Sequence, residues 1–232
     1  MRHVPKFLSV VAAVFVAALL VLAAGRSVLA QEVAVDDLPI TPDPADCAID
    51  PLTEEDLRDL YLDATPEAVD TAGLVEDFEQ SQSVDDATVD AVTQGIVDLL
   101  ACANGGDFLA VLAGSTEDAA INFFGPEEDV SAEELEAELA EFASAEPEAL
   151  PEEFRITLNA VLDVRELSTG QLGALIVSTD PETVETPTLD IILFEEADGT
   201  YLLAGFLDDP YGLTPGYGPG EEGDDDEGTP AP

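Results

Sequence analysis

Positive charge is what this chain has least of. Six Lys and Arg stand against 52 Asp and Glu, a formal net charge of −46 over 232 residues. So few cations cannot neutralise a run of phosphates, which excludes nucleic-acid binding. Docking on anionic lipid headgroups is disfavoured for the same reason. The only Lys (Lys6), the only His (His3) and the only Met (Met1) fall within the first 30 residues, and Arg58, Arg155 and Arg165 are the only cations after them. Imidazole general bases, Ser-His triads, Cys-His pairs and lysine Schiff bases are therefore unavailable beyond residue 30. Histidine metal ligands are missing too, which leaves oxygen donors suited to hard cations such as calcium. Carboxylates at this density repel one another, so stability is expected to rise with salt.

Hydrophobic residues make up 46% of the chain, enough to build a core for one domain with appendages. Arg2 and Lys6 form a positive region ahead of an apolar run from Phe7 to Gly25 that only Ser9 interrupts. Val28 and Ala30 then put small residues at the −3 and −1 positions of a cleavage site before Gln31. Residues 1–30 thus read as a signal peptide. The run is also just long enough to span a bilayer, so an uncleaved N-terminal anchor is the alternative. In both cases the rest of the chain is expected outside the cytoplasm, secreted or held at the cell surface. Two cysteines, Cys47 and Cys102, fall in that exported part. They are expected to pair in an oxidising compartment, with two free buried thiols as the alternative. Without His they make a poor zinc set, and no metal site is assigned.

Residues 31–85 read as an acidic, Pro-containing entry segment with one short helix over 52–63, Thr53 as its N-cap and Asp56 three residues on. Within it, residues 64–85 show little periodicity and read as a linker. From Asp86, Val89, Val92, Ile96, Leu99 and Leu100 recur at helical spacing, and Asn104-Gly105-Gly106 closes the helix with left-handed backbone. Asp107 caps a second short helix. Another carries Ile121, Phe123 and Phe124. Ser131 and Glu134 form a capping box for a further one with Leu135, Leu139 and Phe142 on one face. The glutamates between them read as a solvated surface rather than a cation site. From Arg155 the period becomes two: Ile156, Leu158, Ala160, Leu162 and Val164 alternate with polar neighbours on a first strand. Strands over 172–178, 189–195 and 200–207 follow, the last two joined by an Asp198-Gly199 hairpin turn. Residues 209–232 hold mostly Gly, Pro, Asp and Glu and read as a disordered acidic tail. The fold class is α+β: N-terminal helices packed on an antiparallel sheet of four or more strands. Strands apolar on both faces leave a second face for wrapping by the N-terminal segment or for a homodimer.

The segment 89–112 (VDAVTQGIVDLLACANGGDFLAVL) resembles the opening of a nuclear transport factor 2-like (SnoaL-like) domain, in which a long first helix ends in an N-x-G-D turn. The stretches LNAVLDVRELSTGQLGALIVSTDP and LDIILFEEADGTYLLAGFLD are similar to that family's terminal strands, with Tyr201 where a Trp often stands. A secretion leader with one early Cys and another before the turn is similar to exported bacterial members. The resemblance covers residues 86–208. It implies a curved sheet around a long helix, cone-shaped, with a pocket inside. Family members include isomerases, cyclases, dehydratases and non-catalytic binding domains. A His-Asp pair is ruled out here by the missing His. A Tyr-plus-two-carboxyl site would need Tyr201 with Asp190 and Asp163, which match no family motif, so no catalytic residue is assigned. The expected function is a non-catalytic exported domain that binds a small apolar ligand or a protein partner, with Asn159, Asp190 and Tyr201 as polar pocket contacts and no cofactor. The alternatives are an isomerase- or cyclase-like enzyme and a calcium-dependent surface protein using Asp224 to Glu227, although that run lacks EF-hand spacing.

Overall fold

A computed structural model describes residues 38–62, 73–124, 131–181 and 186–213. The leader, residues 63–72 and residues 214–232 lie outside the described residues, and with the last of these the Asp224–Glu227 run. The described helices are α1 (Glu54–Leu62), α2 (Leu74–Gln80), α3 (Asp86–Asn104), α4 (Phe108–Ala113), α5 (Glu117–Phe124) and α6 (Ala132–Ser144). The strands are β1 (Gln82–Ser83), β2 (Thr157–Glu166), β3 (Leu172–Thr179), β4 (Thr188–Ala197) and β5 (Thr200–Asp208). They form one antiparallel open sheet in the order β1-β2-β3-β4-β5, so the architecture is α+β.

Local chemistry sets the element ends. The Asp85 carboxylate accepts the Thr88 N–H at 2.8 Å and starts α3. The Asp107 carboxylate does the same for α4 with the Ala110 N–H. Thr53 and Asp56 exchange side-chain and backbone bonds at the start of α1, and Ser131 and Glu134 form a capping box on α6. The left-handed residue after α3 is Gly106, at φ +67°, and Gly105 stays right-handed. A Cβ on Gly106 would stand 2.2 Å from the Glu148 carbonyl oxygen, so that position requires glycine. Asp198 and Gly199 both take positive φ, 52° and 81°, the geometry of a tight two-residue hairpin.

The main core fills the space between α3 and the sheet. Val92, Leu158, Ala174 and Phe194 are fully buried there. A second cluster joins Leu57 and Tyr61 of α1 to Leu112, Ile121 and Leu139. The Tyr61 hydroxyl donates to the Ala120 carbonyl at 3.1 Å, and burial pushes its pKa up to about 12.

Two features depart from the sequence reading. The linker assigned to 64–85 contains α2 and β1, and the packed body starts well ahead of residue 86. Ile40 also exchanges backbone bonds with Leu158. β2 does not keep a period of two, because its register against β3 shifts twice, between Leu158 and Ala160 and between Val161 and Asp163. Each bulge adds a residue, so Leu158, Val161 and Val164 face the core while Leu162 is 56% exposed. The two-residue β1 adds a fifth strand to the expected four, within the four or more of the sequence reading. The sheet's ends are covered: β1 and Ile40 lie along β2, and the segment 114–116 bonds to Leu203 of β5.

The second face of the sheet carries α2. Leu74 and Phe78 cover Leu167, Ile191, Leu193 and Ala204. Gly173 makes the close approach possible, since a Cβ there would stand 2.9 Å from the Phe78 ring. Wrapping of that face by N-terminal sequence is thus observed in part. Cys47 and Cys102 form a disulfide with Cα atoms 4.6 Å apart, tying the entry segment to α3.

Candidate functional site

Asp190, Asn159 and Tyr201 do not converge. Asp190 sits on the α3-bearing face, opposite Ile176 in β3 and Asp208 in β5. It accepts from the Thr188 hydroxyl at 2.9 Å, the Ser178 hydroxyl at 3.3 Å and the Asp209 N–H at 3.3 Å. Its neighbour Asp208 has a carboxyl pushed above the usual carboxylate range, first by burial and then by the charge of Asp190.

Tyr201 pairs with Glu196, six residues along β4 from Asp190. At about 3.3 Å per residue that separation is roughly 20 Å. Tyr201 packs on the main core beside Gly95 of α3. Asn159 belongs to the first bulge of β2 and donates to the Thr179 hydroxyl at 2.8 Å. Asn159 and Asp190 thus reach Thr179 and Ser178, successive residues of β3 whose side chains point to opposite faces. Asp163 accepts from the Ser83 hydroxyl and pairs with Arg165. The Tyr-plus-two-carboxyl arrangement is not assembled.

The space that a conical pocket would occupy, between α3 and the sheet, is packed with side chains: Ile96 is 2% exposed, Val164 1% and Phe194 0%. Two clefts among the described residues lie at the surface. One of about 600 Å³ opens between α2 and the turn joining β2 to β3. Leu74, Leu167 and Leu193 form its floor, and Asp77, Thr169 and Gln171 stand on its rim. Asp77 braces the two walls, accepting from the Ser168 N–H at 3.1 Å and the Ser168 hydroxyl at 2.9 Å. A second cleft, of about 360 Å³, lies among α1, α4 and α5, with Leu60, Leu112 and Ala120 at its base and Asp56, Asp59 and Glu117 at its edge.

The residues around the larger cleft escaped the sequence reading because they come from a helix too short to show a period. Its one signal is Leu74 and Phe78 at a spacing of four between acids. Among the described residues no cluster of His, Cys, Asp and Glu could hold a metal ion. Nor is any described helix long and apolar enough to cross a membrane. The disulfide is compatible with an extracytoplasmic protein.

Comparison with protein-family models, with curated proteins and with solved structures finds no match to this chain.

Proposed function

We propose that the chain is an exported, non-catalytic domain of nuclear transport factor 2-like (SnoaL-like) type that binds a small, largely apolar ligand. The observation that carries the reading is the filled space between α3 and the sheet, together with roughly 20 Å between Asp190 and Tyr201. A buried reaction chamber has no room there, and the surface cleft beside α2 is the better ligand seat. Three leucines, Leu74, Leu167 and Leu193, give it an apolar floor for such a ligand within a polar rim, and its volume lies in the ordinary range for ligand sites.

The family reading draws on helix-then-sheet order and on α3, which reaches both β2 and β5 although β3 and β4 lie between them. A sheet bending around the helix accounts for that contact. Export draws on the leader sequence and the disulfide.

A neutral fluorescent probe, N-phenyl-1-naphthylamine, tests the binding reading. The chain lacking residues 1–30 is expected to bind it saturably, one per protein. Thr169→Trp, an exposed turn substitution that fills the cleft, is expected to abolish binding with an unchanged circular dichroism spectrum. Absence of saturable binding, or binding indifferent to the Trp, contradicts it.

A second reading, association with a protein partner or a second copy through the outer sheet face, draws on Leu175, Leu189 and Leu207, which stay half-buried on that face. Sedimentation velocity showing a monomer across the micromolar range contradicts self-association.

A further inference from the structure

Helices α1 and α6 pack against each other although nearly every charge on them is negative. α1 carries Glu54, Glu55, Asp56 and Asp59, and α6 carries five glutamates, all exposed. Arg58 is the one cation on either helix. It pairs with Glu136, but both side chains are more than two-fifths exposed, so solvent screens the pair. The other two described arginines are committed elsewhere. Arg155 Nε donates to the Leu150 carbonyl, and Arg165 binds Asp163 and the end of α2.

Repulsion also acts within α6. Glu134 and Glu138 stand four residues apart, and Glu133–Glu136 and Glu138–Glu141 stand three apart, spacings at which like charges destabilise a helix. The apolar hold on α6 is slight by comparison. Leu139 is buried, and Leu135 and Ala143 are only partly so.

We propose that ionic strength operates the docking of α6 onto α1. Packed helices lie about 8–10 Å apart. The screening length is about 30 Å at 0.01 M salt and about 3 Å at 1 M, so the repulsion spans the pair in dilute solution and vanishes across it in molar salt. The main core between α3 and the sheet is held by fully buried side chains and does not depend on salt in this way. Release of α6 uncovers Leu57, Tyr61, Leu112 and Ile121, an apolar surface concealed at high salt.

Hydrogen exchange read by mass spectrometry on the chain lacking residues 1–30 tests this. Between about 1 M and about 10 mM NaCl, α6 amides are expected to exchange at least about tenfold faster, while β3 and β4 amides change less than about twofold. Arg58→Gln should raise the salt needed for protection. Glu133→Gln with Glu138→Gln should restore protection at low salt, a result that a merely fragile helix would not give. Three outcomes overturn the proposal: α6 exchange indifferent to salt; loss of protection in α6 and the strands together; or recovery on micromolar CaCl2 at fixed ionic strength, which would mean a specific site rather than screening.

Discussion

The guanidinium of Arg165 lies over the ring of Phe78, 5.1 Å from its centroid, and so couples β2 to α2. Arg165 also donates to the Phe78 and Glu79 carbonyls at 3.0 and 2.9 Å, satisfying the C-terminal end of a helix only seven residues long. Its Nε pairs with Asp163 at 2.6 Å, and both side chains are about one-quarter exposed. Arg165→Ala is expected to cost about 2–3 kcal/mol in urea unfolding, because Asp163 and the helix carbonyls lose their partner together. Arg165→Lys keeps the charge without the fork and should recover less than half of that.

Asn104 is a second hidden fastener. Fully buried at the end of α3, its amide donates to the Pro42 and Ile156 carbonyls and accepts the Ile156 N–H at 2.8 Å. Asn104→Ala orphans these groups and is expected to cost about 3 kcal/mol by chemical denaturation. Asn104→Asp should cost more, since a carboxylate would face two carbonyls.

The Cys47–Cys102 disulfide closes a loop with a sequence separation of 55. On the chain-entropy account it stabilises by about 4 kcal/mol. Unfolding in the presence of a reducing agent, or of Cys47→Ser with Cys102→Ser, is expected to show a loss of that order.

Acidification should first stabilise the fold. Burial, then the Asp190 charge, push the Asp208 carboxyl up, and burial does the same to Asp98 against a hydrogen bond from Gln94. A folded-state pKa above the unfolded one means that stability rises as pH falls through the folded value, and the gain is complete below the unfolded value, roughly pH 4. Asp56, Asp85 and Glu134 act oppositely, held down by bonds from Thr53, Thr88 and Ser131. Their contribution is present at neutral pH and is lost as pH falls through their folded values. The melting temperature is therefore expected to peak at mildly acid pH. Asp208→Asn should raise it at pH 7 and flatten the acid rise.

Much of the fold is legible in the sequence where a local rule decides. Caps at Thr53, Asp107 and Ser131 and the Asp198-Gly199 turn follow from side chains acting on their own backbone, and the order of the last four strands from the alternation along each. What escapes is decided by distant partners. The bulges of β2 answer to packing under α3, and nothing in their own residues marks them. α2 has too few apolar residues to announce itself, and its anchor, Arg165, lies 87 residues from Phe78. Asn104 reads as a turn residue but works as a buried amide clamp. The candidate site suffers most. Asn159, Asp190 and Tyr201 are all placed on strands as expected, yet the bulges and the length of β4 keep them apart.

The most direct test of the binding account is a 15N-labelled titration of the chain lacking residues 1–30 with N-phenyl-1-naphthylamine, followed by two-dimensional NMR. Shifts confined to Leu74, Asp77, Leu167, Thr169 and Gln171 are the predicted result. Shifts centred on Ile96, Phe194 and Tyr201, inside the packed space between α3 and the sheet, would contradict it.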